Sequence, residues 1–141
     1  MIMKGKFNIK DIQNINFFEK VTRIKVKLSF SYNGMVVFVV QGQNLKKFPK
    51  EKLNYIVNQI GKFKLITPPK DNSEKEINEF FSSLIYPLTY KNIEIDKTNN
   101  ELNIYATPKA KPLLIGREKV RIKELSNIAE MFFDISKVNI K

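Results

Sequence analysis

The chain has 141 residues, 43% of them hydrophobic, which suffices for packed cores and fits one ordinary domain or two very small ones. It contains no cysteine and no histidine, which excludes disulfides, zinc sites of the usual ligands and catalytic sets built on His or Cys. With 25 Lys+Arg against 14 Asp+Glu, the formal net charge is +11, a balance that attracts polyanions.

That charge is uneven. Residues 1–70 hold 14 basic and 3 acidic side chains, whereas residues 71–141 hold 11 of each. Within the second half, Lys109, Lys111, Arg117, Lys119, Arg121 and Lys123 stand together against Glu118 alone, so one basic surface is expected beside a neutral or acidic remainder. No apolar run approaches the roughly 20 residues of a membrane span, and residues 1–10 lack the apolar core of a signal peptide. A soluble cytoplasmic protein with no membrane partner is expected.

In chain order, a helix is expected around residues 9–20, with Ile12, Ile15 and Phe18 on one side. Ile24, Val26, Leu28 and Phe30 then alternate with Lys25, Lys27 and Ser29, the period of a strand with one wet face. Asn33-Gly34 is a hairpin turn, since both residues tolerate positive φ. Residues 35–40 form the return strand. A basic loop follows with Lys46, Lys47 and Lys50, and Pro49 suits the helix start after it. Leu53, Ile56, Val57 and Ile60 have helical spacing, Gly61 ends that helix, and residues 63–66 read as a strand.

Residues 68–72 break the pattern and read as a linker. Ser73 with Glu76 is a capping-box signature, opening a helix that carries Ile77, Phe80, Phe81, Leu84 and Ile85 on one face until Pro87 stops it. Strands are expected at 90–95 and 101–106 around a polar turn at 97–100. A second basic loop spans 109–119. A helix with Ile122, Leu125, Ile128, Ala129 and Phe132 follows, then a short strand at 138–140. The same series thus occurs twice, offset by about seventy residues, as a repeat of one supersecondary unit. The domains expected are 1–68 and 74–141, joined by a linker at 69–73. Each is an α+β unit of order α-β-β-α-α-β, its three-stranded sheet covered by helices on one face.

The stretch Pro112-Leu113-Leu114-Ile115-Gly116-Arg117-Glu118-Lys119-Val120-Arg121-Ile122-Lys123 resembles the glycine-rich loop of archaeal NusA-like transcription factors, which consist of two tandem type II KH domains. The tail at 133–140 and the segment Leu84-Ile85-Tyr86-Pro87 are similar to that family's closing and joining segments, and the resemblance covers almost the whole chain. It implies RNA binding in transcription elongation, termination or regulation, through a GxxG loop at a helix N-terminus that clamps the nucleic-acid backbone. RNA polymerase or ribosomal components are the implied protein partners. Only Gly116 stands at a glycine position of the family's loop. Arg117 matches a basic position, and Glu118 and Lys119 stand where glycines would be. In the first half, Lys47-Phe48-Pro49-Lys50 takes the place of the motif without any glycine.

The candidate RNA-contacting residues are Gly116, Arg117, Lys119, Arg121, Lys123, Lys109 and Lys111 in the second half, and Lys46, Lys47 and Lys50 in the first. Residues 117 and 121, and 119 and 123, are one turn apart if helical, so they are expected to form basic stripes near a helix N-terminus, where a bound anion would offset their conflict with the dipole. Lys25 and Lys27 are better read as sheet solubility, and the phenylalanine pairs at 17–18, 80–81 and 132–133 as core. Tyr32, Tyr55 and Tyr105 have the chemistry to stack on bases. No nucleophile–base pair, Walker motif or paired carboxylates stands out, so neither enzymatic activity nor a cofactor is expected. The favoured reading is a binder of single-stranded RNA; the alternative is a protein-interaction adapter on a degenerate KH scaffold.

Overall fold

The computed structural model describes residues 9–141, so the leader question at 1–10 falls largely outside the described residues. These residues divide between Pro68 and Pro69 into two compact units. Both have the expected α+β order, and each contains a three-stranded sheet in which the middle strand pairs antiparallel with the first and parallel with the last.

The first unit opens with α1 (Ile9–Thr22) and the hairpin strands β1 (Val26–Tyr32) and β2 (Met35–Val40). Asn33 (φ 53°) and Gly34 (φ 73°) both turn left-handed, as the hairpin requires. A short α2 (Gly42–Leu45), a 3-10 turn at Lys50–Lys52, α3 (Leu53–Ile60) and β3 (Phe63–Ile66) complete it. Gly61, at φ 87°, ends α3 and donates its N–H to Val57 O (2.8 Å). Phe18 fills the core between helix and sheet, its ring 4.4 Å from that of Phe38 and packed with Ile24, Val26, Val40 and Ile56. Ile12 and Leu53, expected on packed faces, are instead exposed; Ile15 and Ile60 flank the core as expected, and Phe17 joins them.

The alternation read along 24–30 is broken by a bulge. Val26 pairs with Val40, but Leu28 already pairs with Val39, so the extra residue Lys27 reverses the side-chain phase. Val26 therefore faces the helices beside Phe38, whereas Leu28, Phe30 and Tyr32 lie on the other face with Val37 and Val39. Those five residues are buried, so the single wet face expected for this strand is not present. Ser29 is carried to the helix side, where its Oγ is buried without a hydrogen-bond partner. Lys25 and Lys27 are exposed, as expected.

The second unit starts with α4 (Glu74–Ile85), whose Ile77, Phe80, Phe81, Leu84 and Ile85 are all buried as expected. Burying each of its phenylalanines contributes about 1.5–3 kcal/mol. Phe80 and Phe81 close on Phe132 and Phe133, with centroids 4.6 Å apart for Phe80–Phe132 and 6.0 Å for Phe81–Phe133. The cap differs from the expected box. Ser73 Oγ accepts from the Glu76 N–H (3.3 Å), but Glu76 Oε1 takes the Lys70 N–H (2.8 Å), because Asp71 Oδ1 already holds the Ser73 N–H (2.9 Å).

Strands β4 (Tyr90–Asp96) and β5 (Glu101–Ala106) repeat the bulge at Lys91, between Tyr90 and Asn92. The chain then runs through α5 (Lys111–Ile115), a 3-10 turn at Arg117–Lys119, α6 (Val120–Phe133) and the edge strand β6 (Lys137–Ile140). Leu125, Ile128, Ala129 and Phe132 are buried on α6, and Ile122 is half-buried. Away from the helices this sheet is polar. Asn139 Nδ2 donates to Glu101 Oε1 (2.7 Å) and Asn103 Oδ1 (2.9 Å), while Asn103 Nδ2 and Tyr105 OH donate to Glu94 Oε1 (3.1 and 3.3 Å).

Candidate nucleic-acid interface

The basic stretch 109–119 is not a plain loop. Pro112 sits early in α5, where its missing N–H costs nothing, and Leu114 anchors that helix in the core. The α5 axis ends at Gly116, whose N–H donates to Pro112 O (2.9 Å) at φ 80°, ψ 167°. That conformation is essentially glycine's alone. Space imposes the same choice: a Cβ at residue 116 would lie 2.7 Å from Arg121 Cβ and 2.8 Å from Arg121 N. Gly116 is thus required for α5 to turn tightly onto the first turn of α6.

Glu118 (φ 54°) and Lys119 (φ 63°) follow in the left-handed region. The two positions at which the resemblance puts glycines hold the backbone that glycines favour, although the residues carry side chains. Each such residue costs about 1–2 kcal/mol. Lys119 N–H donates to Gly116 O (3.2 Å), closing the turn, and no side chain caps the N-terminus of α6. The helix begins only at Val120, so the stripe 117–121 does not exist as a helical row: two left-handed residues intervene between Arg117 and Arg121, whereas Lys119, the residue before the helix, and Lys123, one turn on, border one groove.

The expected basic residues are accordingly redistributed. Arg117, Lys119 and Lys123 are exposed. Arg121 is half-buried over Gly116 and ion-paired with Glu124 on the same helix. Lys109 and Lys111 are exposed at the start of α5, the end away from Gly116. In the first unit, Lys46, Lys47 and Lys50 are exposed, but Phe48 beside them turns inward, 6.2 Å from the Phe18 ring and 6.0 Å from Phe63. Pro49 caps the 3-10 turn, its carbonyl accepting from Lys52 N–H (2.9 Å). That segment is a packing element rather than a second copy of the glycine turn. Tyr32 is buried and not available for stacking; Tyr55 is exposed and leans on Phe17 (5.7 Å), and Tyr105 is tied to Glu94.

Beside the Gly116 turn, an open groove of about 510 Å³ runs between α6 and the edge strand β6. Ile115, Ile122, Val138 and Ile140 give it an apolar lining, and Ser126 and Asn127 add short polar groups. Ser126 Oγ also accepts the Val138 N–H (3.0 Å). Four lysines border the groove, Lys119 and Lys123 from the helix side and Lys137 and Lys141 from the strand side, and among the described residues no Asp or Glu lines it. A second hollow of about 600 Å³, near the start of α4, is bordered by Glu74 and Glu94 with Lys97, a charge pattern unsuited to a polyanion. The sequence offered no sign of Lys137, Lys141 or Asn127 as groove residues, because strand order, not periodicity, puts β6 at the sheet edge.

No family model matches the chain. It is 24% identical over 140 residues to the probable transcription termination protein NusA of Methanococcus vannielii, a match covering 98% of this chain and 80% of that protein. The crystal structure of APE1850 superposes with a TM-score of 0.65 at 16% identity, covering 96% of this chain and all of the other. Among the described residues, no helix is long and apolar enough to cross a membrane. The chain thus shares its fold with APE1850 and is related in sequence, along nearly its whole length, to a NusA-named protein.

Proposed function

We propose that the protein is a NusA-like accessory factor of transcription elongation or termination, built of two type II KH modules, and that its second module binds single-stranded RNA. The carrying observation is the Gly116–Lys119 turn opening into a lysine-bordered apolar groove. In this reading, phosphates lie over the turn and the uncapped start of α6, where backbone N–H groups, the helix dipole and Lys119 and Lys123 favour negative charge. Bases lie against Ile115, Ile122 and the β6 edge. Glu118 opposes phosphate approach, so affinity rests on lysine charge and falls steeply with salt. The role is one of binding, without a catalytic step, in the cytoplasm and with polymerase or ribosomal components as protein partners.

For the first module the adapter reading has its own support, since Phe48 is drawn into the core and the turn has no glycine. Titration of short single-stranded RNA at two salt concentrations tests the main reading. Lys119→Glu with Lys123→Glu weakens binding by tenfold or more, and absence of binding by the unmodified protein at low salt overturns the reading. An RNase-resistant pull-down of polymerase subunits that survives neutralising Lys46, Lys47 and Lys50 supports the adapter role of the first module.

A further inference from the structure

We infer that Lys137 and Lys141 form a second row of phosphate contacts across the β6 edge from Lys119 and Lys123, so that the RNA backbone is gripped from both sides of the groove. The inference rests on the RNA-binding reading of that groove and adds to it residues on a different element.

The argument begins with strand geometry. Val138 and Ile140 are buried, while Lys137 and Lys141 are exposed. Residues 137, 139 and 141 share the sheet face opposite the helices, by the two-residue period of a strand. Asn139 between them is fixed there by Glu101 and Asn103. At about 3.3 Å per residue, the two lysines are rooted about 13 Å apart along one edge strand. Lys123 lies one turn into α6 from Lys119, on the other side of the same groove. Between the rows lies the outer edge of β6. Residue 141 bonds inward to β5 through its N–H to Ile104 O (2.8 Å) and its carbonyl from Ala106 N–H (3.2 Å), so the alternation leaves the Ile140 peptide groups facing the groove.

A ligand with a single anionic edge satisfies one row and leaves the other as uncompensated like charge. A polyanion that crosses the groove from the start of α6 to the far face of β6, with its intervening bases against Ile122 and the β6 edge, meets both rows. Glu101, opposite Lys137 in the ladder, is a neighbouring side-chain carboxylate, and its Oε1 is already held by Asn139.

The test uses the full chain and a short fluorescein-labelled single-stranded RNA of random sequence, titrated from about 50 to about 200 mM salt. Each lost phosphate contact on a single strand removes about 0.7 from the slope of log affinity against log salt. Lys137→Ala with Lys141→Ala therefore lowers that slope by about 1.4 and makes the affinity lost over this fourfold salt range about sevenfold smaller. The paired control, Lys91→Ala with Lys97→Ala, removes equal charge from β4 and its turn and leaves the slope unchanged. A strand-lysine variant with the unmodified slope overturns the inference while the function reading stands; so does a control that lowers the slope equally, because the effect is then net charge. No binding by the unmodified protein overturns the function reading and this inference with it. Circular dichroism confirms that the variants, which alter only exposed side chains, remain folded.

Discussion

Replacing Glu118 by glycine isolates the backbone cost of the turn. Glu118 sits at φ 54°, ψ 27°, a conformation that costs a residue with a Cβ about 1–2 kcal/mol. Glycine removes that cost but gives the unfolded chain more freedom, which takes back roughly 0.5–1 kcal/mol. The net expectation is a gain of about 0.5–1 kcal/mol, visible in urea unfolding and as a rise of roughly 2–6 °C in Tm. Glu118→Ala is the decisive companion. It removes the same negative charge from the same exposed site but keeps the Cβ, so it leaves stability within about 0.5 kcal/mol of the parent. Equal stabilisation by Gly and Ala would refute the reasoning, because the benefit would then come from charge. A loss of stability in Glu118→Gly would refute it more directly. Both variants bind RNA more tightly at low salt, and Glu118→Gly more so, since it also clears the approach to the peptide groups.

Three further expectations concern Gly116, Ser29 and Tyr90. Gly116→Ala forces a Cβ to within 2.7 Å of Arg121 in a glycine-only conformation, and denaturant unfolding should show a loss of about 3 kcal/mol, with the α5–α6 turn displaced. Ser29→Ala removes a buried hydroxyl without a hydrogen-bond partner and should stabilise the first unit by about 1 kcal/mol; a loss would mean that the Oγ is satisfied in solution. Burial pushes the Tyr90 hydroxyl up to about 12. Because the folded state resists its ionisation, the contribution is full below the unfolded value near 10 and is lost as pH rises towards 12. With the side chain only partly enclosed, that loss is on the order of 1 kcal/mol after allowing for solvent screening. Tyr90→Phe should therefore flatten the difference in stability between pH 10 and 12, read by alkaline unfolding alongside tyrosinate absorbance.

Much of the fold is written in local patterns. The apolar face of α4, the left-handed Asn33-Gly34 turn and the Gly61 helix end each depend on residues close in sequence, so periodicity and turn chemistry suffice to place them. Patterns fail where one residue changes the phase. The bulge at Lys27 looks like ordinary alternation in sequence, yet it moves Leu28 and Phe30 to the other face of the sheet, a result settled by pairing with β2. The Ser73–Glu76 box likewise half-forms because Asp71 competes for the same N–H.

The site divides along the same line. The sequence by itself marked a basic turn centred on Gly116 and the two positions after it where side chains replace glycines. Tertiary structure decided what those marks mean. Gly116 is held by contact with Arg121, Glu118 and Lys119 keep a glycine-like backbone, and Arg121 is drawn into an ion pair with Glu124. It also decided that the groove is completed by Lys137 and Lys141, some twenty residues along the chain. Backbone conformation can be anticipated from residue type at Asn33-Gly34 and Gly61, but not at Glu118 and Lys119, which turn left-handed despite their side chains. A binding surface is the meeting of distant segments, and only the parallel pairing of β6 with β5 brings these lysines to the same edge.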